Sequence, residues 1–158
     1  MNSADWWWDT QNQLPAGATI VPVISLSDKT HLTNVSGDQY TWLLYLTIGN
    51  IGEDILRTPT ERAWILLGLI PCPPNGANNI DKVWQNAVGT VLSQFRHFDI
   101  TGPVLKWDCA DGVQRQYYPL FATWVGDYTE QVMVAQVSYG SWPICTIAEG
   151  VPMGHSTF

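Results

Sequence analysis

A chain of 158 residues suffices for one domain burying roughly 68–70% of its unfolded surface, and 46% hydrophobic against 13% charged residues excludes a disordered segment. Fourteen acids against seven bases give a formal charge of −7 with no basic cluster, which argues against strong nucleic-acid binding by this chain alone, because phosphate binding runs on Lys and Arg displacing counterions. Cys72, Cys109 and Cys145 are too few and too scattered for a disulfide framework and fit a reducing, intracellular setting; no apolar run approaches the ~18 residues of a membrane span, and no secretory signal is visible.

The chain opens on Trp6, Trp7 and Trp8, which read as a plug over an open sheet face and would form a sticky patch if exposed. The nine tryptophans are spread over every segment, so they read as core fillers, with a base- or sugar-stacking surface as the alternative. Residues 19–27 form an apolar strand that delivers Asp28. A polar turn at 34–38 leads into a second strand, 40–48, rich in β-branched and aromatic residues and broken by Gly49, Asn50 and Gly52. The run 63–70, stopped by Pro71, suits a buried strand, although periodicity also admits a short helix. From about 79 to 98, Ile80, Val83, Trp84, Ala87, Val88, Val91, Leu92 and Phe95 recur at helical steps; Asn79 can cap this helix and Asp81 favours its positive end. A strand at 102–109, a turn at 108–112 and a strand running into Asp127 make a hairpin. Residues 129–138 read as a short helix capped by Thr129, although Val132, Val134 and Val137 also tolerate a strand.

Asp28 and Asp127 lie 99 residues apart, each at the end of an apolar strand. If those strands are neighbours, the two carboxylates meet at one sheet edge as hard oxygen ligands for Mg²⁺-assisted phosphodiester chemistry; taken singly, each reads as a turn former. The order β-β-β-α-β-β followed by a weak helix is that of an α/β protein with a mixed sheet, close to the start of an RNase H-like fold and incomplete as such. A single partial domain is expected over 1–158, with a Trp-rich segment at about 1–18 and a divergent tail at 146–158. Lys29 could steady Asp28 or a phosphate, or stand exposed without a role. His31, His97 and His155 are too scattered to form a ligand set.

Longer blocks carry a resemblance. Asp5-Trp6-Trp7-Trp8-Asp9-Thr10-Gln11, then Pro15, Gly17-Ala18-Thr19-Ile20-Val21-Pro22-Val23-Ile24 and Ser27-Asp28-Lys29-Thr30, with Leu32-Thr33, are similar to the catalytic region of Plavaka-type transposases of fungal DNA transposons, relatives of the CACTA group. The similarity continues through Tyr45-Leu46-Thr47-Ile48-Gly49-Asn50-Ile51, Ala110-Asp111-Gly112, Pro119-Leu120-Phe121-Ala122, Gly126-Asp127-Tyr128 and Glu130-Gln131, from about residue 5 to 145. The resemblance implies a DDE-type nuclease and strand-transferase core in which Asp28 and Asp127 are the first two catalytic, metal-binding acids, Mg²⁺ or Mn²⁺ is the cofactor and DNA the partner, with action in the nucleus. In such a core three carboxylates hold two ions roughly 3.5–4 Å apart.

The departures from the family pattern fall at the chemistry. The family's third acid lies beyond the last residue of this sequence, and neither Glu130 nor Glu149 has a matching context. Where the family has Cys-Pro-x-Cys, this chain reads Trp142-Pro143-Ile144-Cys145; Thr129 replaces proline, His31 stands where glutamine is common and Leu43 where proline is common. Three readings follow: a truncated transposase fragment without activity of its own; a nuclease subunit completed by a partner chain; and a non-catalytic interaction module reusing the fold. With one clear helix to cover its sheet, the chain is expected to leave an apolar face open and to form a homo-oligomer or take a protein partner there.

Overall fold

The computed structural model describes residues 4–33, 39–73, 80–97, 100, 104–137, 140 and 143. Among them, helix α1 (Asp5–Gln11) leads into β1 (Ala18–Thr33) and β2 (Gln39–Ile48); a short α2 (Glu53–Leu56) and a 3-10 turn (Pro59–Glu61) precede β3 (Ile65–Pro71). Then come α3 (Ile80–Val91), a second 3-10 turn (Ser93–His97), the hairpin β4 (Leu105–Asp108) and β5 (Gln114–Val125), and α4 (Tyr128–Ala135). The strands form one five-stranded mixed sheet in the order β3-β2-β1-β5-β4, with β1 antiparallel to β2 and parallel to β5. This is a mixed α/β architecture. No helix among the described residues is long and apolar enough to cross a membrane.

β1 sits at the centre although it contains Pro22, a residue normally kept out of central strands for want of an N–H. The Pro22 carbonyl accepts a hydrogen bond from the Gly49 N–H at 2.8 Å, on the β2 side. A strand residue's N–H and C=O point the same way, so the missing donor faces a place where β2 has already ended, its ladder stopping at the Val23–Ile48 pair. Side-chain amides finish that side of β1. Gln11 of α1 donates to the Ala18 carbonyl at 2.8 Å and accepts from the Ile20 N–H at 3.1 Å, and Asn50 donates to the Ile20 carbonyl at 3.0 Å.

The two faces of the sheet are covered unequally. On one, Trp42, Leu44 and Ile70 pack under α3 through Trp84 and Val88, with Trp124 and Met133 against the same cluster. On the other, α1 covers one end, where Trp7 and Leu14 meet Ala18, Ile20 and Tyr118. The tryptophan run is therefore helical, and it plugs the sheet only through Trp7; Trp6 and Trp8 are exposed because a helix turns successive side chains about 100° apart. The segment between β2 and β3 reaches over the middle of this face, where Leu56, Pro59 and Trp64 border a cavity with Leu26 and Tyr45, and beyond it Leu69 (59%), Leu66 (49%) and Val125 (44%) are exposed.

Several expectations are corrected. β3 is an edge strand and mostly exposed, because among the described residues it is buried only at Ile70, against the α3 cluster. β1 does not stop at Asp28; it runs on in a hairpin with β2, with Asp28 opposite Leu43. The long helix ends at Val91 and tightens into a 3-10 turn, while its Asn79 cap lies outside the described residues. Asp127, not Thr129, stands at the N-cap of α4, and the Thr129 hydroxyl donates to Glu130 at 3.0 Å. Cys145 and Glu149 lie outside the described residues.

The β4–β5 hairpin turns on Gly112 (φ 75°), in the left-handed region that glycine enters without steric cost. Beside it Arg115 grips Asp111 with two hydrogen bonds, at 2.9 and 2.6 Å, and Asp111 also accepts from the Val113 N–H at 3.1 Å. The Arg115 bonds first, and the Val113 N–H second, hold the Asp111 carboxyl down at about 2. The stabilisation from this depressed value is present above the unfolded pKa of ~3.9 and is lost as pH falls through about 2. Carboxyl-detected NMR should show Asp111 titrating near 2 in the native chain and return it toward the ordinary range in Arg115→Ala.

Candidate functional site

The strands that carry the two singled-out aspartates are neighbours. β1 and β5 run parallel with Ser25 opposite Trp124 and Leu26 opposite Val125, where their ladder ends. Each aspartate thus follows two residues after a member of the last paired couple, Asp28 after Leu26 and Asp127 after Val125. Both aspartates are exposed. Asp28 accepts a hydrogen bond from the Thr30 hydroxyl at 2.9 Å. Asp127 makes the joint between β5 and α4: its backbone is extended (φ −65°, ψ 169°) and its carbonyl accepts the Gln131 N–H at 2.9 Å.

Alternation along β1 decides what else shares this edge. Ser25 and Ser27 face the α3–α4 layer, because the Trp124 indole that packs in that layer donates to Ser27 Oγ at 3.1 Å. Lys29 faces the same way, its ammonium lying 5.0 Å from the Tyr40 ring centroid and 5.6 Å from that of Trp42. Asp28 therefore points to the opposite face, and Lys29 does not steady it. Lys29 instead borders a cavity of about 760 Å³ between α3 and α4 whose walls include Trp42, Lys82, Gln85 and Met133.

Glu130, two residues after the start of α4, is 1% exposed. It is held in the helical layer, with Thr129 on its carboxylate, and shares its surroundings with Cys72. Burial pushes the Cys72 thiol up, Lys29 pulls it down and Glu130 raises it further. Sequence reasoning left Glu130 without a place; its spacing of three from Asp127 was the available signal that it turns inward on the first helical turn. Among the described residues no three His, Cys, Asp or Glu side chains gather at one point. His31 stacks at a tilt on Tyr40, with centroids 4.8 Å apart, away from any ligand set.

The fold is that of an α/β protein whose parallel strand pair, β1 and β5, carries one aspartate on each strand's course two residues past the last ladder pair. The family model described as Plavaka transposase matches residues 1–152, and the chain belongs to that family. No curated protein and no solved structure matches it.

Proposed function

We propose that this chain carries the first two acids of an RNase H-like, DDE-type transposase core of the CACTA-related, fungal kind, and that Asp28 and Asp127 are those acids. The observation that supports the reading is the parallel β1–β5 pairing, whose last pair, Leu26–Val125, lies two residues before each aspartate. Membership of a transposase family supports DNA as the substrate.

Two exposed carboxylates are hard oxygen donors of the kind that Mg²⁺ and Mn²⁺ accept while keeping most of their waters, so the residues fit half of such a site. Asp28 and Asp127 would hold the ion, and when bound it would supply Lewis acidity toward a phosphodiester and an activated water or 3′-hydroxyl. The chain's own part is to fix these carboxylates in the open, where a phosphate can reach them, and to keep Lys29 and Glu130 turned into the helical layer. A third carboxylate from another segment or another chain completes the set, so this chain alone is inactive in cleavage.

The test is Mn²⁺ binding to the wild-type chain and to the Asp28→Asn/Asp127→Asn double variant, with duplex and single-stranded DNA present. Weak binding that disappears in the double variant, without cleavage by either protein, is the expected result. Equal binding by the two proteins would remove the aspartates from the site. Cleavage by the wild type alone would show that the third acid already lies within this chain. A second reading, a non-catalytic interaction module, draws on the open sheet face around Leu66 and Leu69; it requires a partner whose binding is indifferent to both aspartates.

A further inference from the structure

Backbone pairing between β1 and β5 ends at Leu26 and Val125, two residues short of Asp28 and Asp127, and side chains take over beyond that point. Trp124 on β5 donates its indole N–H to Ser27 Oγ on β1 at 3.1 Å, spanning the two strands immediately before the aspartates. Ser27 is 3% exposed, so this bond is shielded from competing water. Trp124 is held in turn by α3, where Trp84 meets it edge-on with ring centroids 5.4 Å apart and planes at 66°. On the other side of the joint, Gln131 of α4 donates its side-chain N–H to the Gly126 carbonyl at 2.8 Å, while its backbone N–H bonds the Asp127 carbonyl. A β-carbon on Gly126 would lie 3.3 Å from Ser27 Oγ and 3.4 Å from Trp124 Nε1, directly beside the strand-to-strand bond.

We propose that Ser27, Trp124 and Gln131 are positioning residues that act as a side-chain clamp, replacing the ended ladder and fixing the separation of the Asp28 and Asp127 backbones. None of them needs to touch metal or DNA. Ser27 and Trp124 set the spacing of the strands, and Gln131 sets the angle at which α4 leaves β5. The catalytic importance of the clamp rests on the functional reading above; its effect on geometry does not.

Two measurements separate those claims. The first uses nitroxide labels on Asp28→Cys and Asp127→Cys, with Cys72, Cys109 and Cys145 replaced by Ser, and reads the inter-label distance by pulsed electron spin resonance. A narrow distribution is expected in this background, a broad one with Ser27→Ala or Gln131→Ala, and a narrow one again with Ser27→Thr, which keeps the hydroxyl. A distribution unchanged by Ser27→Ala and by Gln131→Ala overturns the clamp, whatever the metal experiment gives. The second is Mn²⁺ affinity in chains retaining both aspartates: Ser27→Ala should weaken it about tenfold, the worth of one well-made hydrogen bond, with recovery in Ser27→Thr. Broadened distances with Mn²⁺ binding indifferent to both aspartates would leave the clamp standing and defeat the functional reading. Lost affinity with unchanged distances would defeat the clamp. Thermal unfolding of each variant identifies a global loss of fold, and Gln131→Glu, which removes the amide donor with little change of shape, supplies an independent broadening arm should Ser27→Ala fail to fold.

Discussion

Trp84→Ala is expected to lower folding stability by about 3–5 kcal/mol, the range for removing a buried large aromatic from a packed core. Trp84 is 1% exposed and packs with Trp42 and Leu44 of β2, Ile70 of β3 and, edge-on, Trp124 of β5, so it joins α3 to three strands through one side chain. Its indole N–H has no hydrogen-bond partner among the described residues, so the loss is one of burial and packing, without a broken hydrogen bond to add. Against a total of about 5–15 kcal/mol for an ordinary domain, this is enough to leave a large unfolded population on mild heating. Urea titration at constant slope measures it, with Trp107→Ala as control. Trp107 is 69% exposed on the edge strand β4, and its loss should stay within about 0.5 kcal/mol. Comparable losses at the two positions would contradict the packing described for α3.

Gly126→Val should have the second largest effect, and on geometry as well as on stability. The backbone there lies outside the left-handed region, so the constraint is one of space. A β-carbon would come within 2.9 Å of Glu130 Cβ, a contact that no rotamer change relieves because that atom is fixed to the helix backbone. Either α4 moves away from β5 or the strand does, at about 1–3 kcal/mol for overpacking. The same shift moves Asp127, since it is the residue between Gly126 and the first turn of α4. Thermal unfolding paired with Mn²⁺ titration reads both consequences. Gly126→Ala should show the same pattern in smaller measure, and a Gly126→Val chain with wild-type stability would refute the close approach.

Much of the secondary structure was legible along the chain, for identifiable reasons. The 3.6-residue recurrence of Trp84, Val88 and their neighbours marks α3, and the turn from Asp108 to Gly112 marks the β4–β5 hairpin, because local geometry and local burial coincide there. The pairing of β1 with β5 stood in the sequence only as a condition for the two acids to meet, and it is the structure that supplies it, in their parallel register. Less legible were α1 and α2. α1 is seven residues long and α2 four, too short for periodicity to build up, and the Trp6-Trp7-Trp8 run conceals an amphipathic pattern in which Asp5 and Asp9 face outward while Trp7 and Gln11 turn to the sheet.

By itself the sequence determined the course of the strands around 19–27 and 40–48, the main helix and the hairpin before Asp127, the placing of Asp28 and Asp127 beside two apolar strands, the excess of acidic residues and the resemblance to the family. Tertiary structure alone decided that β1 runs past Asp28, that β3 is an exposed edge, that Lys29 and not Asp28 faces the helical layer and that Glu130 is buried. The physical reason is common to all four. A strand's alternation says that Asp28 and Lys29 face opposite ways, but which way is inward depends on where α3 and α4 settle. Hydrophobic runs report a capacity for burial, and only the packing of distant elements determines which of them is covered.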